Sequence, residues 1–129
     1  METEFYQVEP FDEFEKQVKR LTKKKRFYTL PAQVEELRDK LLRGDFDEPP
    51  IFRLEDPAPV DVYKVRLPNP DANVGKSGGY RVVYMVVTER RIVVLLCVYY
   101  KKEQEDVTDT YVMGLIDGYF LGALPYDDD

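Results

Sequence analysis

The sequence predicts one α+β domain: a small antiparallel β-sheet of three or four strands, packed against an N-terminal helical hairpin and a C-terminal helix. Three strand-like stretches lie between residues 60 and 102, and apolar residues recur at helical spacing before and after them. Short links join the successive strands, which favours antiparallel pairing. A chain of 129 residues is the size of one domain, so residues 1–129 are expected to fold as a single unit.

Two helices are predicted before the sheet, after a short strand between Thr3 and Val8. Their apolar residues recur every three or four positions, as on one face of an amphipathic helix. Thr29 can cap the second helix, Pro31 suits its first turn, and Gly44 marks its end. The apolar stripes are Phe11, Phe14, Val18 and Leu21 in the first helix and Leu30, Val34, Leu37 and Leu41 in the second.

A proline-rich segment, Asp45 to Pro59, connects the hairpin to the sheet. Its four prolines predict an irregular link rather than a helix or a central strand. Three strands follow, over Val60 to Leu67, Gly78 to Val87 and Ile92 to Lys101. They are expected to pair in this order, each antiparallel to the next.

The C-terminal helix is predicted to begin after Thr108, whose hydroxyl can cap it. It covers the sheet with an apolar stripe. The end of the chain, about residues 125–129, is expected to be frayed. The members of the stripe are Val112, Leu115, Ile116 and Tyr119.

The chain contains no histidine, which excludes Ser-His-Asp and Cys-His catalysis and nearly every zinc site built on imidazole. Any catalysis must then use Lys, Arg, Tyr, Asp or Glu side chains, and no metal and no cofactor is expected. The longest apolar run, Ile92 to Tyr100, is far shorter than the roughly 20 residues of a membrane helix. No secretory pattern opens the sequence, which makes the cytoplasm the expected location. Cys97 is the single cysteine and lies inside this apolar run, so it is expected to be a buried, inert thiol.

The charge is distributed unevenly. The whole chain carries −6, but residues 60–102 hold eight basic and three acidic residues, so the predicted sheet carries +5. The remainder carries −11. The basic run Lys23 to Arg26 is interpreted as a solvated helix end and loop, with a nucleic-acid patch as the alternative. The predicted sheet is thus a basic surface within an acidic protein.

Four cations are expected to share one face of the sheet: Lys64, Arg66, Arg81 and Lys101. Side chains two positions apart lie on the same face of a strand, and Lys101 is expected beside Tyr99, Cys97 and Leu95. If the strands pair in register, these side chains form a surface suited to a phosphodiester, whose charge they would neutralise. The alternative is that they are ordinary charges on the solvated side of a sheet.

The strings YKVRL, GKSGGYRVVYMVV and IVVLLCVYYKKEQEDVT resemble the RelE/ParE superfamily of toxins from type II toxin-antitoxin systems. The resemblance covers about Tyr63 to Thr108 and is strongest to the RelE/HigB-like ribonuclease branch. It implies a RelE/ParE-like fold, and a metal-independent endoribonuclease that cuts mRNA at the ribosome. The RNA's own 2′-hydroxyl would be the nucleophile.

The resemblance also implies roles for individual residues. Arg66 and Arg81 would hold the scissile phosphate, while Lys64 and Lys101 would assist proton transfer. Tyr99 is the fifth candidate catalytic residue. Tyr111 stands near the start of the last helix, where the family often has a catalytic tyrosine. Contacts to the RNA backbone are expected from Lys76 and Lys102.

The implied partners are a cognate antitoxin, mRNA and the ribosome. Toxins of this superfamily tend to be basic, whereas this chain is acidic. That difference favours an alternative of another class, a non-catalytic binding module or a ParE-type gyrase inhibitor that acts through protein contacts. The four cations favour the ribonuclease.

Overall fold

The computed structural model describes residues 5–122, which form a five-stranded sheet with helices on both faces. Within those residues no helix is long and apolar enough to cross a membrane. The predicted α+β class and helical hairpin are confirmed, and the predicted frayed end lies outside the described residues. The strands are β1 (Gln7–Pro10), β2 (Phe52–Leu54), β3 (Val60–Leu67), β4 (Tyr80–Val87) and β5 (Ile92–Tyr100); the helices are α1 (Asp12–Lys23), α2 (Leu30–Leu42) and α3 (Asp109–Gly122).

The sheet has five strands rather than the predicted three or four, in the order β1-β5-β4-β3-β2, and two of them differ from the prediction. β1 pairs with β5 in parallel, so the sheet is mixed rather than antiparallel. Parallel pairing requires a long connection between the two strands. The helical hairpin and three further strands lie between β1 and β5 in the sequence and provide that connection. β2 lies inside the proline-rich segment that was expected to be irregular, and it pairs antiparallel with β3. Its three residues occupy the sheet edge, where flanking prolines interrupt no ladder.

The helical hairpin covers one face of the sheet, here called the hairpin face. The buried residues of α1 and α2 pack there against tyrosines that β3 and β4 direct inward. Tyr63 and Tyr84 stack with ring centroids 5.2 Å apart, and the hydroxyl of Tyr84 donates to Asp47 at 2.6 Å. The buried helical residues are Phe14, Leu21, Leu30, Leu37 and Leu41, all within the predicted stripes.

Helix α3 covers part of the opposite face, here called the α3 face. The Thr108 hydroxyl accepts a hydrogen bond from the Tyr111 N–H at 3.0 Å, as expected of the predicted cap. Val112, Ile116 and Phe120 are buried against the sheet, and Leu115 and Tyr119 are partly buried beside them. The strand residues beneath the helix include Val60, Val62, Val83, Met85, Leu96 and Cys97.

A β-bulge interrupts β5 and changes which residues reach each face. The register with β4 shifts between Val83 and Tyr84, so that Leu96 and Cys97 both pack on the α3 face. Leu95 lies on the hairpin face, and its predicted place beside Tyr99 is therefore wrong. Beyond the bulge, α1 runs along the open edge of β5. There the side-chain oxygen of Gln17 accepts the Val98 N–H at 2.7 Å.

Gly79 joins the loop after β3 to the start of β4, and we expect Gly79→Ala to destabilise the protein. An added Cβ would collide with the carbonyl oxygen of Leu67 and lie 2.9 Å from that of Gly75. Because both obstacles are backbone atoms, the cost should be about 1–3 kcal/mol of unfolding free energy. Denaturant titration would measure it.

Gly75→Ala is the matched control. Nothing lies within 4 Å of a Cβ at that position, so its effect should stay within about 0.5 kcal/mol. Equal stability of the two variants would contradict the close approach at Gly79.

Candidate functional site

The strand register brings Lys64, Arg66, Arg81 and Tyr99 to the α3 face. Arg66 lies opposite Arg81, Arg81 lies opposite Tyr99, and Lys64 lies opposite Val83. These residues occupy the end of the sheet where β3 finishes and β4 begins, here called the cationic end. Helix α3 runs from there toward the β4–β5 turn, where Arg90 lies 5.8 Å from the ring centroid of Phe120.

Lys64 and Arg66 are open on this face. Arg66 is exposed and Lys64 is half-buried. Like charges directly opposite one another destabilise an antiparallel pair, so the Arg66–Arg81 pair opposes folding unless one of the two charges is neutralised locally. The structure turns Arg81 away and leaves Arg66 available to a ligand.

Arg81 is buried, with 5% of its surface exposed. Its guanidinium donates hydrogen bonds to the carbonyl oxygens of Lys76 and Ser77, each at 2.9 Å, and of Tyr80 at 3.3 Å. Lys76 and Ser77 both belong to a short 3-10 turn, Lys76–Gly78, that precedes β4. These contacts do not fit the direct phosphate contact expected of Arg81, because its donors are directed at the turn. Sequence spacing gives the face of a side chain but not its acceptors.

A carboxylate connects the two remaining candidates. Asp106 accepts a hydrogen bond from the Tyr99 hydroxyl at 3.0 Å and pairs with the Lys101 ammonium at 3.1 Å. The hydrogen bond from Lys101 is the main cause that lowers the pKa of Asp106, and the Tyr99 hydrogen bond and the Lys64 charge act in the same direction. Tyr99 is 2% exposed, and its burial, followed by the Asp106 contact, raises the pKa of its phenol.

The Tyr99 hydroxyl is occupied by Asp106, so the catalytic role expected of Tyr99 requires a ligand to take the place of that carboxylate. Asp106 itself was not among the predicted site residues. The available signal was its position in the short acidic link that follows Lys101 and Lys102 and precedes the cap of α3. An acidic residue in such a link is ordinary, and the sequence does not show which way it turns.

The predicted backbone contacts, Lys76 and Lys102, are both exposed at the cationic end, and Lys102 lies against Gly78. The turn between α1 and α2 reaches the same end. Glu103 pairs with Arg20 at 2.7 Å and with Lys25 at 3.2 Å. The basic run Lys23 to Arg26 is exposed, as expected of a solvated helix end, and it lies beside the candidate site.

Tyr111 and Cys97 lie at the margin of this surface or away from it. Tyr111 is 38% exposed on the first turn of α3, and its hydroxyl lies 3.4 Å from the carboxylate of Glu13. Cys97 is fully buried, as expected, and this burial raises its pKa to about 12.

We expect Arg81→Ala and Arg66→Ala to differ in stability although the two residues are cross-strand partners. Arg81→Ala leaves the turn carbonyls without their donor inside the protein and should cost about 1–3 kcal/mol. Arg66→Ala removes an exposed side chain and should change stability by less than about 0.5 kcal/mol. Thermal and denaturant unfolding of both variants would measure this, and equal losses would contradict a bracing role for Arg81.

Comparison with known proteins gives a fold. No family model matches the chain, and neither does any curated protein. A free-state double arginine-to-alanine variant of the E. coli toxin RelE matches with 22% identity over 89% of this chain and 97% of its own, at a TM-score of 0.53. Isolated E. coli RelE matches with 20% identity over 87% and 97% of the two chains, at a TM-score of 0.41.

A RelE–RelB complex from the archaeon Pyrococcus horikoshii OT3 also matches, with 21% identity over 77% of this chain and 98% of that one, at a TM-score of 0.39. The HigB-like branch stays a prediction. The similarity to the first RelE structure extends over most of both chains. The chain therefore has the RelE fold that its sequence motifs predict.

Proposed function

We propose that this protein is the toxin of a toxin-antitoxin pair and acts as a metal-independent endoribonuclease on mRNA at the ribosome. One observation carries the proposal: Lys64 and Arg66 lie open on the α3 face of a RelE-like sheet. Such a cluster suits an RNA phosphate, because cations attract the anionic backbone and stabilise charge on the phosphoryl oxygens.

Acidic residues far from the cationic end do not oppose this local attraction, whereas Glu103 and Asp106 lie at that end and offset part of its charge. Exposed charges farther apart than about 8 Å are largely screened at physiological ionic strength. RNA at the cationic end therefore interacts chiefly with Lys64, Arg66, Lys76 and Lys102 and with the basic run beside them. The acidic residues elsewhere lower long-range steering more than contact affinity.

The proposed reaction is an internal transesterification. The 2′-oxygen of the RNA attacks the neighbouring phosphorus and the bond from phosphorus to the 5′-oxygen breaks, which leaves a 2′,3′-cyclic phosphate and a 5′-hydroxyl. One proton leaves the 2′-hydroxyl and one reaches the 5′-oxygen. Arg66 stabilises the charge on the phosphoryl oxygens, while Lys64 and Lys101 assist the two proton transfers.

Arg81 acts in this proposal as a positioning residue, because it braces the turn that carries Lys76. Before RNA binds, Asp106 accepts a hydrogen bond from Tyr99 and pairs with Lys101. A cognate antitoxin would bind the cationic end through acidic side chains and so compete with RNA. The toxin would meet mRNA and the ribosome in the cytoplasm.

A specific observation also favours the second candidate, a non-catalytic binding module. Of the five predicted catalytic residues, three are engaged within the chain: Arg81 by turn carbonyls, and Tyr99 and Lys101 by Asp106. A module that binds a protein, as a ParE-type gyrase inhibitor would, needs no free acid or base. RNA cleavage separates the two candidates.

We expect the purified protein to cleave mRNA on ribosomes and to leave 2′,3′-cyclic phosphate ends. Lys64→Ala should slow cleavage by about 10²–10⁴-fold because it removes a proton-transfer group. Arg66→Ala should slow it by about 10²–10³-fold because it removes charge stabilisation. Product ends would be identified by mass spectrometry.

Arg43→Ala is the matched control, since Arg43 is an exposed arginine just after α2, near Tyr6 and the opposite end of the sheet. It should cleave like the wild type. A substrate with 2′-deoxyribose at the scissile position should resist cleavage. Cleavage of that substrate, or full activity in Lys64→Ala, would contradict the mechanism, and inactivity of the wild type on ribosomes would favour the binding module.

A further inference from the structure

We propose that Asp106 is an internal stand-in for the RNA phosphate: its carboxylate fills an anion-binding cradle formed by Tyr99 and Lys101, and it leaves when a phosphate binds. This inference rests on the proposed function in one respect, namely that the phosphate belongs to RNA. The cradle itself is a feature of the described residues. It makes Asp106 a competitor of the substrate.

The contacts of Asp106 are those of a bound anion. One carboxylate oxygen accepts the Tyr99 hydroxyl at 3.0 Å and the other meets the Lys101 ammonium at 3.1 Å. The Lys64 charge is close enough to favour the ionised carboxylate. A phosphodiester likewise presents two unesterified oxygens that share one negative charge, so it can accept from the same two donors.

Burial distinguishes the cradle from its occupant. Tyr99 is 2% exposed, and a buried tyrosine hydroxyl requires a hydrogen-bond partner. The Asp106 side chain, in contrast, is 47% exposed. Its carboxylate can therefore rotate into water at little cost. The buried Tyr99 hydroxyl would then lack an acceptor unless another anion replaces the carboxylate.

The position of Asp106 in the chain allows that exchange. It lies in the link between the end of β5 and the cap of α3, outside any helix or strand. Lys101 and Tyr99 are fixed by contrast, since Tyr99 belongs to β5 and the Lys101 N–H donates to the Gly79 carbonyl at 2.7 Å. The donors are thus placed by the sheet and the competing acceptor by the link.

Competition of this kind lowers the apparent affinity for phosphate by the fraction of molecules in which the cradle is empty. We therefore expect Asp106→Asn to bind both inorganic phosphate and a non-cleavable 2′-O-methyl RNA oligonucleotide about 3–10-fold more tightly than the wild type. Binding would be measured by chemical-shift titration and by fluorescence anisotropy. Thermal unfolding would verify that the variant is folded.

Glu105→Gln is the control, because it removes one negative charge from the adjacent exposed residue. Its gain should be smaller than that of Asp106→Asn, and the difference should disappear when Lys101→Gln is added to both. Equal binding by Asp106→Asn and Glu105→Gln would overturn the inference, as would a difference that persists without Lys101. Binding of phosphate tests the cradle without RNA, so tighter phosphate binding in a protein that cleaves no RNA would reject the proposed function alone.

Discussion

The pairing register of β3, β4 and β5 is the constraint on which the rest of the structure depends. It separates the residues of each strand into two sets, one that meets the helical hairpin and one that meets α3. The same pairing gathers Lys64, Arg66 and Arg81 at one end of the α3 face. A shift of one residue would exchange the faces of a whole strand, with tyrosines on the solvated side and cations in the core.

Some cations of this face stabilise the structure, and others are available to a ligand. Arg81 is used by the turn before β4 and Lys101 by Asp106, while Lys64 and Arg66 have open surface. A buried or paired cation stabilises its neighbours but cannot meet a phosphate without giving up a partner. The candidate site therefore combines two available charges with others that fix its shape.

Alternation within strands made much of this arrangement predictable. It placed Lys64 and Arg66 on the face opposite Tyr63, and helical periodicity placed the buried leucines of the hairpin. Both signals repeat over many residues, so a few exceptions do not hide them.

The features that were missed depend on contacts between distant parts of the chain. The bulge at Leu96 and Cys97 is defined by the pairing with β4, and alternation through an apolar run does not reveal it. The parallel pairing of β1 likewise depends on β5, a strand that is far from β1 in the sequence. The burial of Arg81 depends on where turn carbonyls point, which residue types do not specify.

The burial of Cys97 beneath α3 gives the protein an intrinsic reporter of local opening. It is the single cysteine of the chain, and its thiol is fully buried on the face that α3 covers. Once exposed, a thiol ionises near its ordinary pKa of about 8.5 and reacts as the thiolate. The labelling rate of Cys97 relative to a free thiol thus gives the equilibrium constant for opening, and hence the free energy with which this face is closed.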